Sequence, residues 1–520
     1  MKILAAGSFA VLLATLIFGH TLDAVSCESL ASLMLPNARI TLAQTVPAGG
    51  FLPAGAVATA AAAQAFRTLP AFCRIAATLT PSSDSDIKVE VWLPASGWNG
   101  KFLAVGNGGL AGYIDYVGLV NAVGLGYAGS STDTGHRATD GKWWLGHPEK
   151  VTDFGYRAIH ETAVKSKAII RALYGANPEK SYFDGCSNGG RQGLMETQRY
   201  PADYDGIIAG AGAALKTTHI MAGVIWNVRA LETPPAAYIP PTQLPAIERA
   251  VLAACDGLDG VQDGVLEDPR MCHYDPDALL CSGAQDDSCL TLPQVAALRK
   301  IYNGPRTSKG EHIWPGLQPG GEGAPRGWRW AVTGTGPGTG FGHDSMAGGD
   351  FLGFSFDYKS FDFDRDVPRM DEQVGGKYNP GSPNLKDFKN RGGKLILYHG
   401  WSDAAVPPTT SIEYYQALVA KQGQKDVDAF VRLYMVPGMQ HCVGGPGPNS
   451  FSMFAALEQW SEKRLAPAEI VATKFKIDGR PSSGVVRTRP LCPYPQVARY
   501  SGSGSTDYAG NFACLVPPKK

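Results

Sequence analysis

Two dipeptides constrain this chain more than anything else in it. Cys186-Ser187 and His441-Cys442 each place a cysteine beside a residue capable of nucleophile or base chemistry. One disulfide between them would hold an imidazole against a hydroxyl. Gly185-Cys186-Ser187-Asn188-Gly189 also fits G-x-S-x-G, the sharp strand-to-helix turn that lifts a serine out of a sheet.

That turn needs a strand before it and a helix after it. Tyr182-Phe183 leads into the serine, Arg191 to Tyr200 has helix-forming composition and stops before Pro201, and Gly206 to Gly210 reads as the next short strand. Upstream, Ile87 to Pro94 alternates as a half-buried strand should, and Phe102 to Val105 reads as a buried strand ending at Gly106. A helix is expected between Asp153 and Leu173, closed by Gly175. Downstream, Lys394 to Tyr398 and Phe430 to Val436 are buried strands, each followed by a polar candidate, Asp403 and His441. Active sites of α/β proteins collect past such strand ends. The expected fold is therefore α/β, with an α/β-hydrolase catalytic domain made of residues 27–215 and 387–520. Between them, residues 216–386 change character, with proline pairs, glycine clusters, four closely spaced cysteines and tryptophans at 314, 328 and 330. This stretch reads as a large inserted lid domain.

Ester hydrolysis needs a nucleophile, a base, an acid to orient the base, and donors for the oxyanion. Ser187, Asp403 and His441 occur in the α/β-hydrolase chain order. The backbone N–H of Asn188 is the first expected oxyanion donor, and the Gly106-Asn107-Gly108-Gly109 turn supplies the second. Asp184 and Asp205 compete for the acid's role, but neither follows a later strand. His399 precedes the acid in a tight turn and His160 lies within the expected helix, so both read as structural. A thiolate nucleophile at Cys186 would suit a reducing cell, whereas a partner cysteine beside the histidine favours a bridge.

The compartment follows from the start of the chain. Met1-Lys2, an apolar run from Ile3 to Phe18 and a polar exit read as a secretory signal over residues 1–26. Cys27 lacks the leucine three residues earlier that a lipoprotein site would show. No later stretch offers the roughly 18 consecutive apolar residues of a membrane span. Ten cysteines, all beyond the signal, then imply disulfides in a secreted or periplasmic protein. Lys plus Arg equals Asp plus Glu, at 47 each, so no net field favours nucleic acid or an anionic membrane surface. A small ester is the expected partner.

Asp256-Gly257-Leu258-Asp259-Gly260-Val261-Gln262-Asp263-Gly264-Val265 presents three carboxylates, each followed by glycine within two residues, on a backbone able to add the carbonyls of Val261 and Val265. Hard oxygen donors on a flexible loop suit Ca2+ rather than zinc. Cys255 and Cys272 bracket the loop. A solvated acidic turn is the alternative.

These residues are similar to those of the tannase and feruloyl esterase family, which includes mono(2-hydroxyethyl) terephthalate hydrolase. The matching stretches are SYFDGCSNGGRQGLMETQRYPADYDGIIAGAGA, CDGLDGVQDGVLEDPRMC, KLILYHGWSDAAV, VPGMQHCVGGPG and RTRPLCPYPQVARYSGSG. The resemblance implies a Ser187, Asp403 and His441 triad, oxyanion donors at Gly109 and Asn188, and the family bridge Cys186–Cys442. It implies structural Ca2+ at Asp256, Asp259, Val261, Asp263 and Val265. It also implies the pairs Cys27–Cys73, Cys255–Cys272, Cys281–Cys289 and Cys492–Cys514. Substrate contacts do not carry over, because residues 312–366 match poorly and none of Arg326, Arg329 and Arg365 aligns as a carboxylate-binding equivalent. Phe351, Phe354, Phe356 and Tyr358 are candidates either for stacking on an aromatic acyl group or for plain core. The expected activity is hydrolysis of uncharged feruloyl, hydroxycinnamoyl or galloyl esters. A hydrolase of phthalate-type monoesters and a non-catalytic calcium-stabilised binding protein are the alternatives.

Overall fold

The computed structural model describes residues 25–53, 60–212, 214–325, 327–346 and 349–517. Nearly all of the expected signal, and Arg326, lie outside them. Nine strands form one sheet: β1 (Ala38–Val46), β2 (Phe72–Leu79), β3 (Ile87–Pro94), β4 (Lys101–Val105), β5 (Ala128–Thr132), β6 (Lys180–Cys186), β7 (Gly206–Gly210), β8 (Lys394–Gly400) and β9 (Val431–Val436). Their order is β1-β2-β3-β5-β4-β6-β7-β8-β9. β1, β2, β3 and β5 pair antiparallel in succession, and from β5 to β9 every pairing is parallel.

Alternation along the parallel strands explains why helices cover both faces. Phe102, Ala104, Phe183, Ile207, Leu395 and Leu397 join one core with Ile159, Ala163, Ile169 and Ile170 of α1 (Ala158–Tyr174), Leu194 of α2 (Asn188–Arg199), and Tyr414 and Leu418 of α3 (Thr409–Gln422). Their sequence neighbours Leu103, Val105, Tyr182, Ile208, Ile396 and Tyr398 join the other, with Met453, Leu457 and Trp460 of α4 (Met453–Lys463). Each strand thus buries side chains on both sides, the pattern of a parallel sheet.

The strand at Ile87–Pro94 departs from the half-buried reading. Seven of its eight residues are buried, including Glu90. Trp92 Nε1 (2.7 Å) and the Tyr116 hydroxyl (2.9 Å) donate to the Glu90 carboxylate, and the Arg74 guanidinium pairs with it. Polar alternation therefore marks an ion pair inside the sheet's flank rather than a solvent face. The helix expected from Asp153 begins earlier, with an α-helical turn at Pro148–Thr152, and passes through one π-helical turn, Asp153–Arg157, into α1, which ends at left-handed Gly175 (φ 74°).

Between β7 and β8 the chain leaves the sheet and builds separate cores. One gathers Leu231, Ile247, Val251, Leu298 and Ile301, and the other gathers Met221, Ile225, Phe351, Phe354 and Met370 with Trp143, Trp144 and Phe154 from outside the segment. Phe351 and Phe354 are thus core residues, and the Tyr358 hydroxyl donates to Glu232 at 3.1 Å. After α4, two ribbons follow, β10 (Ile470–Phe475) with β11 (Val485–Leu491) and β12 (Val497–Tyr500) with β13 (Phe512–Leu515).

Candidate active site

The serine turn is built by close approach. Ser187 sits at φ 62°, ψ −124°, between the end of β6 and the start of α2. A Cβ on Gly185 would lie 2.6 Å from the Gly189 carbonyl carbon, and one on Gly190 would lie 2.3 Å from the Gly210 carbonyl oxygen. Only glycine permits helix and strands to pack this tightly, and that packing holds Ser187 in left-handed backbone.

Ser187 Oγ lies 2.8 Å from His441 Nε2, and His441 Nδ1 lies 2.7 Å from Asp403 Oδ2. Asp403 follows β8 and His441 follows β9, so three parallel strands deliver the three side chains to one end of the sheet. Cys186 and Cys442 are bonded, as are Cys27–Cys73, Cys255–Cys272, Cys281–Cys289 and Cys492–Cys514, which uses all ten cysteines.

Asp403 is fully buried. Burial alone would raise it, but the charge of His441 and hydrogen bonds from His399 and His441 outweigh that and hold the carboxyl well below the usual range. Its Oδ1 accepts from Ala405 N (2.8 Å) and Val406 N (2.9 Å). His399 belongs to this network, which the reading of it as merely structural missed. Its Nε2 lies 3.1 Å from Asp403 Oδ2 and 3.0 Å from the Val406 carbonyl, while Ser411 Oγ lies 2.7 Å from Nδ1. Two acceptors at Nε2 place a proton there, so His399 donates to the acid. The competing carboxylates stand elsewhere: Asp184 lies within β6 opposite Val105 of β4, where burial raises it to about 6, and Asp205 accepts from Ser181 N at the start of β6. His160 Nδ1 meets Asp203 Oδ2 at 2.6 Å, away from the triad.

Gly109 lies in left-handed backbone (φ 55°), and the loop around it is fastened from several directions. Gln192 of α2 accepts from Asn107 N at 3.0 Å, the Tyr113 hydroxyl accepts from Gly108 N at 2.9 Å, and His136 Nε2 meets the Leu110 carbonyl at 2.7 Å. Burial lowers His136 to about 4, so it is neutral at pH 7 and donates there through Nε2. No motif marks Gln192, Tyr113 or His136, since their partners arrive only with the fold. Trp330 stacks at 6.0 Å on the His441 ring and at 4.9 Å on Phe341, so aromatic surface stands over the base.

Around the acidic loop, Asp259, Val261, Asp263, Val265 and Glu267 line one small pocket. Among the described residues no three Asp, Glu, His or Cys side chains converge enough to hold a metal by themselves. The donors are nevertheless all hard oxygens once carbonyls are counted, which fits a calcium-like cation. Asp256 is turned inward, accepting from Gly264 N and Val265 N. Arg487 and Arg489 of β11 pair with Asp263, and Ala498 N of β12 donates to Glu267 at 2.7 Å.

The model of the tannase and feruloyl esterase family matches residues 73–515. The chain belongs to the tannase and feruloyl esterase family. This family member is 41% identical to an uncharacterized esterase of Xanthomonas campestris pv. campestris, over 95% of the chain and 92% of the relative. It is 33% identical to the mono(2-hydroxyethyl) terephthalate hydrolase of Piscinibacter sakaiensis, over 95% and 92%. The crystal structure of feruloyl esterase B from Aspergillus oryzae superposes with a TM-score of 0.82 at 31% identity, covering 94% of this chain and 99% of that one. As a member of this family the protein is a carboxylic ester hydrolase with an α/β-hydrolase-like fold.

Proposed function

We propose that the protein is an exported serine hydrolase that cleaves uncharged aromatic esters, of the feruloyl, hydroxycinnamoyl or galloyl kind, through an acyl-enzyme. The unbroken chain from Ser187 Oγ through His441 to Asp403 carries this reading. Ser187 Oγ attacks the ester carbonyl carbon while His441 Nε2 takes its proton. The tetrahedral oxyanion is received by the N–H groups of Asn188 and Gly109. Collapse breaks the bond to the leaving alcohol, which takes the proton from His441, and water repeats the sequence on the acyl-Ser187. Asp403 keeps the imidazole in the tautomer with its proton on Nδ1. Ten paired cysteines support an oxidising compartment, outside the cell or in a periplasm. No described helix is long and apolar enough to cross a membrane.

Aromatic specificity is supported by Trp330 and Phe341 beside the base. Arg365 is engaged by Asp366 and does not offer a free cation for a substrate carboxylate. The relative named as a terephthalate monoester hydrolase keeps the phthalate-type reading as the second one. The acidic loop fits one structural Ca2+, with Asp256, Asp259, Asp263 and the carbonyls of Val261 and Val265 as the groups that would hold it. Such an ion would supply local charge balance and rigidity to the loop.

Ser187→Ala should abolish release of ferulate and gallate from their methyl esters while the melting temperature stays near that of the parent. Retained turnover in a folded variant would refute the nucleophile. Turnover of mono(2-hydroxyethyl) terephthalate exceeding that of both methyl esters would favour the second reading.

A further inference from the structure

Arg191 lies in the first turn of α2 and is 1% exposed. Its Nε donates to Asn188 Oδ1 at 2.7 Å, Nη1 to the Gly155 carbonyl at 2.7 Å, and Nη2 to the Phe154 carbonyl at 3.2 Å. The guanidinium lies 4.5 Å over the ring of Tyr378 and 5.3 Å over that of Phe154. Every one of these acceptors is neutral, and among the described residues no carboxylate pairs with it. Burial lowers the group only to about 10, so it stays charged at pH 7.

A buried cation without a counter-ion is expensive to desolvate. Here it is held by the carbonyls of the π-helical turn Asp153–Arg157, a rare geometry that is frequent at functional sites. Its one side-chain partner is Asn188, the residue whose N–H heads α2 beside the nucleophile. The helix start is therefore positive beside the nucleophile, and the guanidinium lies one hydrogen bond away from the side chain of its first residue.

We propose that Arg191 is a positioning residue for the oxyanion. It fixes Asn188, and its charge remains uncompensated in the resting enzyme until the tetrahedral intermediate supplies the missing negative charge. Such an interaction strengthens between ground state and transition state and so acts on kcat rather than on KM. The inference rests on the assignment of Ser187 as nucleophile.

The test uses the oxidised full-length enzyme, with Arg191→Gln removing the charge and Arg191→Lys keeping it. Phenylboronic acid, which adds to a serine as a tetrahedral anion, reports on the transition state, and neutral cinnamamide reports on the ground state. Arg191→Gln should lower kcat and phenylboronic acid affinity together by about 10- to 100-fold, with KM and cinnamamide inhibition within about twofold. Arg191→Lys should recover the larger part of both losses. Unchanged phenylboronic acid affinity in Arg191→Gln, equal weakening of cinnamamide, or equal loss in both variants would overturn the proposal alone. A wild-type enzyme that ignores phenylboronic acid would overturn the nucleophile and this proposal with it. Should Arg191→Gln fail to fold, Asn188→Ala retains the backbone N–H and removes the anchor. A several-fold selective loss of phenylboronic acid affinity is then expected, and no loss overturns the proposal.

Discussion

His399 shows how a side chain enters a mechanism without touching substrate. It shares Asp403 Oδ2 with His441, so the acid is held from two sides while its other oxygen is capped by backbone. His399→Phe fills similar space but deletes a donor to a buried charge, and kcat should fall about 10-fold with little change in KM, checked by steady-state kinetics. Asp133 offers a pH readout in the fold itself. Buried below the oxyanion loop, its Oδ1 accepts from Lys88 N and Gly135 N, and burial raises it to about 7. A carboxyl raised on folding binds its proton more tightly in the native state. Its contribution to stability is thus full below the unfolded value near 4 and is lost as pH rises to about 7, at a cost of up to roughly 4 kcal/mol. Asp133→Asn keeps the accepting oxygen, so its melting temperature should exceed the parent's at pH 8 and approach it at pH 5. Ser187, Asp403 and His441 were legible because glycine spacing and strand ends are local signals. Gln192, His136 and the donor role of His399 were not, because each acts on a residue that only tertiary packing brings near. Glu90 misled for the same reason: its partners Arg74 and Tyr116 come from other elements, so a buried ion pair looked like a wet face.

At the scale of elements, α2 organises the centre. Its N-terminal residue follows the nucleophile, its Gln192 holds the loop containing Gly109, and its Arg191 holds the π-helical turn before α1. The strands of the parallel sheet could be placed from their apolar runs. The inward packing of the aromatics between β7 and β8 could not, since stacking on substrate and packing in a core leave the same composition. The acidic loop belongs to a different group of elements, buttressed by β11 and β12 through Arg487, Arg489 and Ala498. If Ca2+ sits there, chelation should lower the melting temperature and readdition should restore it. The kcat of still-folded enzyme at low temperature should stay unchanged. Neither a melting shift nor bound metal by elemental analysis would count against the site.

For the whole molecule, the bridge between Cys186 and Cys442 closes a loop with a sequence separation of 256. On a chain-entropy basis that cross-link stabilises the native state by about 5 kcal/mol. The double variant Cys186→Ala/Cys442→Ala should therefore melt well below the parent and lose kcat beyond what its folded fraction explains, measured by calorimetry and active-site titration. The serine stands before the long segment between β7 and β8, whereas Asp403 and His441 stand after it. A nascent chain that has been translated through β7 already carries its hydroxyl, yet nothing exists to activate it until some two hundred more residues have been made. Ester cleavage is accordingly acquired late in synthesis, and a fragment shortened ahead of His441 should be inert.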